Sequence, residues 1–277
     1  MDPIGPENYS PSVPATDRAF LYGDGVFETL LVVNGVALWR DLHEERMALG
    51  ARRLGIEVNM QDVRQAIEDG AQRSHTTAGV LRITVSRGSG ERGYAPSMKA
   101  CARVTATHSA LTRDPFVPLS AASISTSSIV MGDQPLLAGI KHCNRLEQVL
   151  AAAEAKERCV DDVVLCNAGA VYQCSSNANL FVLKGNELLT SPCDRSGVLG
   201  TRRRLIIESL AGRMGLSASE VPLRHQDLSS ADGMFLCNSI MGIRLVARWE
   251  DRVFDPREVL DRLQSTYYEE ARQCCAM

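Results

Sequence analysis

The chain has 277 residues, 45% of them hydrophobic and 23% charged, with 30 basic against 33 acidic side chains and a net charge of −3. That length buries a sizeable core and fits two domains. The near balance of charge, with no block of one sign, excludes the usual electrostatic footprint of nucleic-acid binding, so an anionic ligand must be met by individual arginines.

Residues 1–18 read as an irregular, proline-rich arm. The arm has no basic stretch followed by an apolar one, so it is not expected to be a signal peptide. No apolar run approaches the roughly 20 residues of a membrane span. Tyr22 to Trp39 reads as a glycine-punctuated loop, a strand, an Asn34-Gly35 hairpin turn and a second strand. Asp41 is expected to cap a helix with Leu42, Arg46, Leu49 and Arg53 at helical spacing, and a second helix is expected from about Met60 to Gln72. Strands at 80–85 and 102–107 flank a basic, glycine-rich loop, giving an antiparallel α+β domain over 1–110. Residues 111–120, with Pro115 and Pro118, form the candidate linker. In 121–277 the pattern predicts a strand at 121–130 and a helix at 144–158 with Leu146, Val149, Leu150 and Ala153 on one side. Hairpins at 163–172 and 179–190, helices near 200–215 and 257–273, and strands at 233–237 and 242–247 complete it.

The nine cysteines, at 101, 143, 159, 166, 174, 193, 237, 274 and 275, show no zinc-ligand spacing. They read as reduced thiols of a cytoplasmic protein, and no metal site is expected.

Five stretches carry possible chemistry. Lys141 follows the apolar approach 135–140 and precedes a helix, in Leu137-Ala138-Gly139-Ile140-Lys141-His142-Cys143-Asn144-Arg145-Leu146-Glu147-Gln148-Val149-Leu150. Apolar walls destabilise an ammonium and favour the free amine that attacks aldehydes; the plain alternative is a lysine snorkelling at a helix start. His43-Glu44-Glu45-Arg46 puts an arginine fork on a helix. Ser196-Gly197-Val198-Leu199-Gly200-Thr201-Arg202-Arg203 is a glycine turn entering a helix, whose first amides attract anions. Cys237-Asn238-Ser239-Ile240-Met241-Gly242 reads as a strand-to-turn element. Ser86-Arg87-Gly88-Ser89-Gly90-Glu91-Arg92-Gly93-Tyr94 carries two arginines among three glycines. Each has an ordinary structural alternative: a solvated helix face, a capped helix, a plain Asn-Ser turn or a hairpin connection.

Together, and taken in chain order from about residue 17 to 250, the stretches resemble the class IV (fold type IV) pyridoxal-phosphate aminotransferase family. The lysine segment and the arginine loop are most similar to its aminodeoxychorismate-lyase branch. The resemblance implies a two-domain, D-amino-acid aminotransferase-like α+β fold and pyridoxal 5′-phosphate carried by Lys141, which lies in the C-terminal domain on this division. It implies a phosphate held by Arg46, the amides of Thr201 and Arg202, and Ser239, with Val198 against the cofactor ring. Substrate contacts are implied for Arg87, Arg92 and Asn238. The implied reaction converts 4-amino-4-deoxychorismate to 4-aminobenzoate and pyruvate for folate synthesis, in a homodimer. The rivals are a D-amino-acid or branched-chain aminotransferase and a catalytically degenerate paralogue.

One departure stands out. The family places a glutamate at the pyridine nitrogen, before a run ending in Asn-Leu-Phe. Here the stretch is Val171-Tyr172-Gln173-Cys174-Ser175-Ser176-Asn177-Ala178-Asn179-Leu180-Phe181. Counting back gives Cys174 and counting forward gives Gln173, so a weaker electron sink is expected.

Overall fold

The computed structural model describes residues 12–73, 76–97 and 100–276. Contacts divide the chain into a first unit, 1–115 with 140–144 and 273–277, and a second unit, 116–139 with 145–272. The expected linker spans the 115/116 junction. Ile140–Asn144, expected in the C-terminal domain, groups instead with the first unit, so Lys141 packs with the N-terminal part of the chain.

Residues 1–11 of the expected arm lie outside the described residues. The described part leads into α1 (Arg18–Tyr22), which Asp17 caps by accepting the Ala19 amide. Four strands follow, β1 (Gly25–Val33), β2 (Val36–Ala37), β3 (Ala78–Ser86) and β4 (Arg103–Ala110), in the order β2-β1-β3-β4 and antiparallel throughout. The Asn34-Gly35 turn has both residues at positive φ, 49° and 80°, as a two-residue hairpin demands. Helices α2 (Arg40–Leu54) and α3 (Met60–Gln72) cover one face of the sheet. There Val26, Leu30 and Val32 of β1 and Leu81, Ile83 and Val85 of β3 meet Met47, Ala51, Val63 and Ile67. Every second strand residue faces the helices, the period-2 pattern that fixes register. The cap of α2 differs from expectation: Trp39, at φ 50°, is the N-cap, and Asp41 lies in the first turn where it faces the helix dipole.

The second unit holds β5 (Ala122–Met131), α4 (Leu146–Glu157), β6 (Asp162–Asn167), β7 (Tyr172–Ser175), β8 (Asn179–Lys184) and β9 (Glu187–Thr190). After α5 (Thr201–Leu205) comes a π-helical turn, Ile206–Leu210, then α6 (Ala211–Arg213), β10 (Ser217–Glu220) and α7 (His225–Ser229). The last elements are β11 (Gly233–Asn238), β12 (Gly242–Trp249), β13 (Arg252–Val253) and α8 (Glu258–Ala276). Strand order is β10-β9-β8-β11-β12-β5-β6-β7, and an extra pairing of β7 with β8 closes the sheet on itself. Closure leaves no open edge on that ring. Its core includes Ile124, Val164, Leu180, Val182, Leu236 and Trp249.

Helix α4 connects the parallel strands β5 and β6. It packs through Ala151 and Ala155 onto Met131, Val163 and Leu165. The larger residues Leu146, Val149 and Leu150 face outward, opposite to the usual reading of such a stripe, because small side chains permit the closer approach to the sheet.

Candidate active site

In the first unit, Lys141 is positioned by main-chain pairing. The Phe27 amide donates to the Lys141 carbonyl and the Cys143 amide to the Gly25 carbonyl, both at 2.9 Å, around an antiparallel bridge of Val26 with His142. Residues opposite one another in such a ladder share a face, so Lys141 and Phe27 project together. The Lys141 Nζ lies 4.4 Å from the centroid of the buried Phe27 ring. A cation at that distance gains about 0.5–2 kcal/mol from the ring quadrupole.

One residue along, Glu28 points to the opposite face and is 1% exposed. Its carboxylate accepts from Arg46 Nε at 2.7 Å and Nη2 at 2.5 Å, and pairs with the buried His43 Nδ1 at 2.6 Å. Burial would raise this carboxyl, but Arg46 and His43 outweigh it and hold it down at about 2. Glu28 therefore fixes one edge of the Arg46 fork. Sequence reasoning missed Glu28; the available signal was one carboxylate inside the apolar run 25–33.

The glycine-rich loop is tied down rather than loose. Buried Arg18 donates to the carbonyls of Gly93 and Tyr94 at 3.0 and 2.6 Å and to Asp24 at 2.8 Å, and Tyr94 packs edge-on to Tyr22. Arg87, implied as a substrate contact, is engaged within the first unit. Its guanidinium donates to Asp24 at 2.7 Å and to the Leu54 and Gly55 carbonyls at 2.6 and 2.7 Å, closing the end of α2. Burial would raise Asp24, yet the bonds from Arg87 and Arg18 keep it below the ordinary carboxylate range. Arg92 is exposed on the same loop.

In the second unit, Gly139 and Val198 pair: the Gly139 amide donates to the Gly197 carbonyl and the Leu199 amide to the Gly139 carbonyl, each at 3.0 Å. Gly197 has φ 87°, and a Cβ there would meet Gln173 Oε1 at 3.5 Å, so a left-handed residue without a side chain suits the position. The turn continues through Val198, whose carbonyl accepts from Asn179 Nδ2 at 2.9 Å, to Gly200, the N-cap of α5, where a Cβ would strike Asn179. The helix therefore opens with its first amides directed outward along the axis. The Arg202 side chain is fully buried and donates to Tyr267 Oη at 3.2 Å. Arg203 donates to the Ser191 carbonyl and pairs with Glu220.

Gln173 and Cys174 have different surroundings. Leu165 opposes Cys174 and Cys166 opposes Tyr172, so Gln173 is an extra residue on β7, a bulge. Cys174 belongs to the core beneath α4, with Sγ 3.7 Å from Met131 Sδ, and burial pushes its thiol up to about 12. Its expected alternative place at a cofactor nitrogen is not supported by these surroundings. Gln173 is 3% exposed, and its Oε1 is a buried acceptor with no hydrogen-bond donor among the described residues. Asn238, implied as a substrate contact, uses its amide in its own turn: Oδ1 accepts from the Ile240 and Met241 amides at 3.0 and 2.7 Å, and Nδ2 donates to Asn177. That is an Asx turn with both ends of the amide used. Ser239 lies in the same turn.

The family profile described as amino-transferase class IV matches residues 25–249. An aminodeoxychorismate lyase of Vibrio harveyi is 34% identical over 85% of this chain and 86% of its own length. The crystal structure of the 4-amino-4-deoxychorismate lyase of Pseudomonas aeruginosa superposes with a TM-score of 0.87 at 30% identity, covering 94% of this chain and 96% of that one. A Brucella abortus aminotransferase bound to pyridoxal phosphate shares the fold at TM-score 0.83 and 21% identity, with 96% of both chains covered.

Proposed function

The chain belongs to the amino-transferase class IV family, and from that premise we propose that it is a pyridoxal-phosphate lyase converting 4-amino-4-deoxychorismate to 4-aminobenzoate and pyruvate. The residues present fit the cofactor: a lysine amine over an aromatic ring, a glycine turn that opens a helix, and a buried glutamine amide whose oxygen has no hydrogen-bond partner among the described residues. The single observation that carries the reading is Lys141, set on the Phe27 face by backbone pairing; the two lyases reported above support the choice of substrate.

Pyridoxal phosphate supplies an aldehyde that takes up an amine and a conjugated ring that draws electrons from the neighbouring carbon. Lys141 would provide the amine that holds the aldehyde and that an incoming substrate amine frees. The freed Nζ then takes the proton from the ring carbon bearing the substrate nitrogen and returns one to the departing enolpyruvate. Phe27 lies against this side chain and restrains it. Arg46, with one edge fixed by Glu28, the amides of Thr201 and Arg202, and the Ser239 hydroxyl are assigned to the phosphate, and Val198 to a face of the ring. Arg92 is assigned to a substrate carboxylate. Arg87 and Asn238, whose polar atoms serve the fold, are left out.

We place the activity in folate synthesis, in the cytoplasm and in a homodimer; no helix among the described residues is long and apolar enough to cross a membrane. The test is 4-aminobenzoate release from chorismate and glutamine in the presence of an aminodeoxychorismate synthase and pyridoxal phosphate. Product above the synthase-only background is expected from the native protein, with Lys141→Ala losing both turnover and the bound cofactor's visible absorbance. Near-normal turnover by that variant, or formation of a keto acid from an amino acid with no 4-aminobenzoate, would sink the reading.

A further inference from the structure

The bulge in β7 decides between two side chains that sequence spacing leaves equal. A carboxylate at a pyridine nitrogen stabilises a pyridinium by charge, whereas an amide offers only a hydrogen bond and can present either end. Cys174 is turned into an apolar core, with a thiol that burial keeps protonated at neutral pH. Gln173, set out of register by one residue, is buried beside the Gly197–Val198 turn with its oxygen unmatched. A buried amide atom without a partner costs roughly 1–3 kcal/mol; with the amide turned end for end, Nε2 takes that place and an unprotonated ring nitrogen docked at this turn accepts from it. Charge nearby offers no substitute for a glutamate. Asp162, the one buried carboxylate among the described residues of the second unit, is engaged by the amides of Val163 and Ser176. Cys193, whose Sγ also lines Gly197, is a thiol pushed up to about 11 by burial.

We propose that Gln173, and not Cys174, meets the pyridine nitrogen of the bound cofactor, and that its neutral amide keeps this nitrogen unprotonated at neutral pH. The amide rotates to donate from Nε2, and the ring works uncharged. The proposal rests on the cofactor reading above and adds to it the protonation state in which the ring operates. An uncharged ring withdraws electrons less strongly, which suits a reaction whose product gains aromatic stability better than one that must run reversibly in both directions.

The experiment uses the full-length protein loaded with pyridoxal phosphate carrying nitrogen-15 in the ring, observed by nitrogen NMR at neutral pH. The native protein is expected to show the signal of an unprotonated, hydrogen-bonded pyridine. Gln173→Glu is expected to move it by the large upfield displacement that protonation produces. Gln173→Met, which keeps the volume without a hydrogen-bonding group and guards against a glutamate variant that does not fold, is expected to move it toward a free pyridine. Cys174→Ala is expected to leave it in place. A protonated signal in the native protein overturns the proposal, as does a signal that responds to Cys174→Ala but to neither Gln173 variant. In those cases the native protein still binds cofactor and releases 4-aminobenzoate, so the cofactor reading stands. Native protein that binds no labelled cofactor overturns both.

Discussion

Replacing Glu28 by glutamine removes the anion that joins His43 and Arg46 while conserving shape. Holding a buried carboxyl at about 2 instead of its ordinary 4.5 corresponds to about 3.4 kcal/mol of stability. The group is depressed in the folded state, so this contribution is complete above pH 4.5 and is lost as pH falls toward 2. At pH 3 about 2 kcal/mol of it is already gone. Removing one member of a buried ion pair costs 3–5 kcal/mol by a separate route, so the two figures agree at neutral pH. The assay is urea unfolding of native and Glu28→Gln proteins between pH 7 and pH 3. Tryptophan emission can be read in a Trp249→Phe background, because Trp39 lies in the first unit and Trp249 in the second. The expected deficit is about 3 kcal/mol at pH 7, narrowing to near 1 kcal/mol at pH 3. A deficit below about 1 kcal/mol at pH 7, or one that does not narrow on acidification, would refute the coupling of Glu28 to its two partners.

Two loop residues of the same type should separate cleanly. Arg87→Ala should cost about 2 kcal/mol in stability, since charged hydrogen bonds to Asp24 and two helix-end carbonyls are lost. Arg92→Ala should change stability by no more than about 0.5 kcal/mol while raising KM for the dianionic substrate about tenfold, the equivalent of ~1.4 kcal/mol. Denaturation curves beside steady-state kinetics check both, and the reverse pattern would return Arg87 to the substrate. Asn238→Ala should lower stability by about 1–2 kcal/mol through loss of its turn bonds with KM unchanged. A raised KM at unchanged stability would make Asn238 a substrate contact.

Much of the fold was legible because it is local. The Asn34-Gly35 turn, α3 and the strands at 78–86 and 103–110 follow from turn chemistry and periodicity confined to a few neighbours. What escaped depends on distant partners. The bulge at Gln173 exists only relative to β6, so counting along one strand cannot find it. Arg87 and Asn238 look like binding residues in any glycine-rich or Asn-Ser segment, and only the carbonyls and amides they meet reveal their structural use. Helix α4 buries its small side: Leu146, Val149 and Leu150 form the obvious stripe, yet alanines make the contact. For the site, Lys141, the turn into α5 and the His43–Arg46 stretch were visible as motifs, whereas Glu28 was hidden because it lies on β1 and its partners on α2.

The five residues 140–144 are an interruption of the second unit's chain that completes the first unit. Neither unit is thus a contiguous stretch of polypeptide. A fragment ending at residue 115 would lack both the segment that pairs with Val26 and the chain terminus at 273–277, and a fragment starting at 116 would carry Lys141 with nothing to pair it against. Folding must close these long loops before the amine is in place, which raises contact order and slows the search. Ribosomal synthesis reaches Lys141 only after β1–β4 has been made, so the lysine joins the first unit late, and gene fragments should restore function only when both halves are present together.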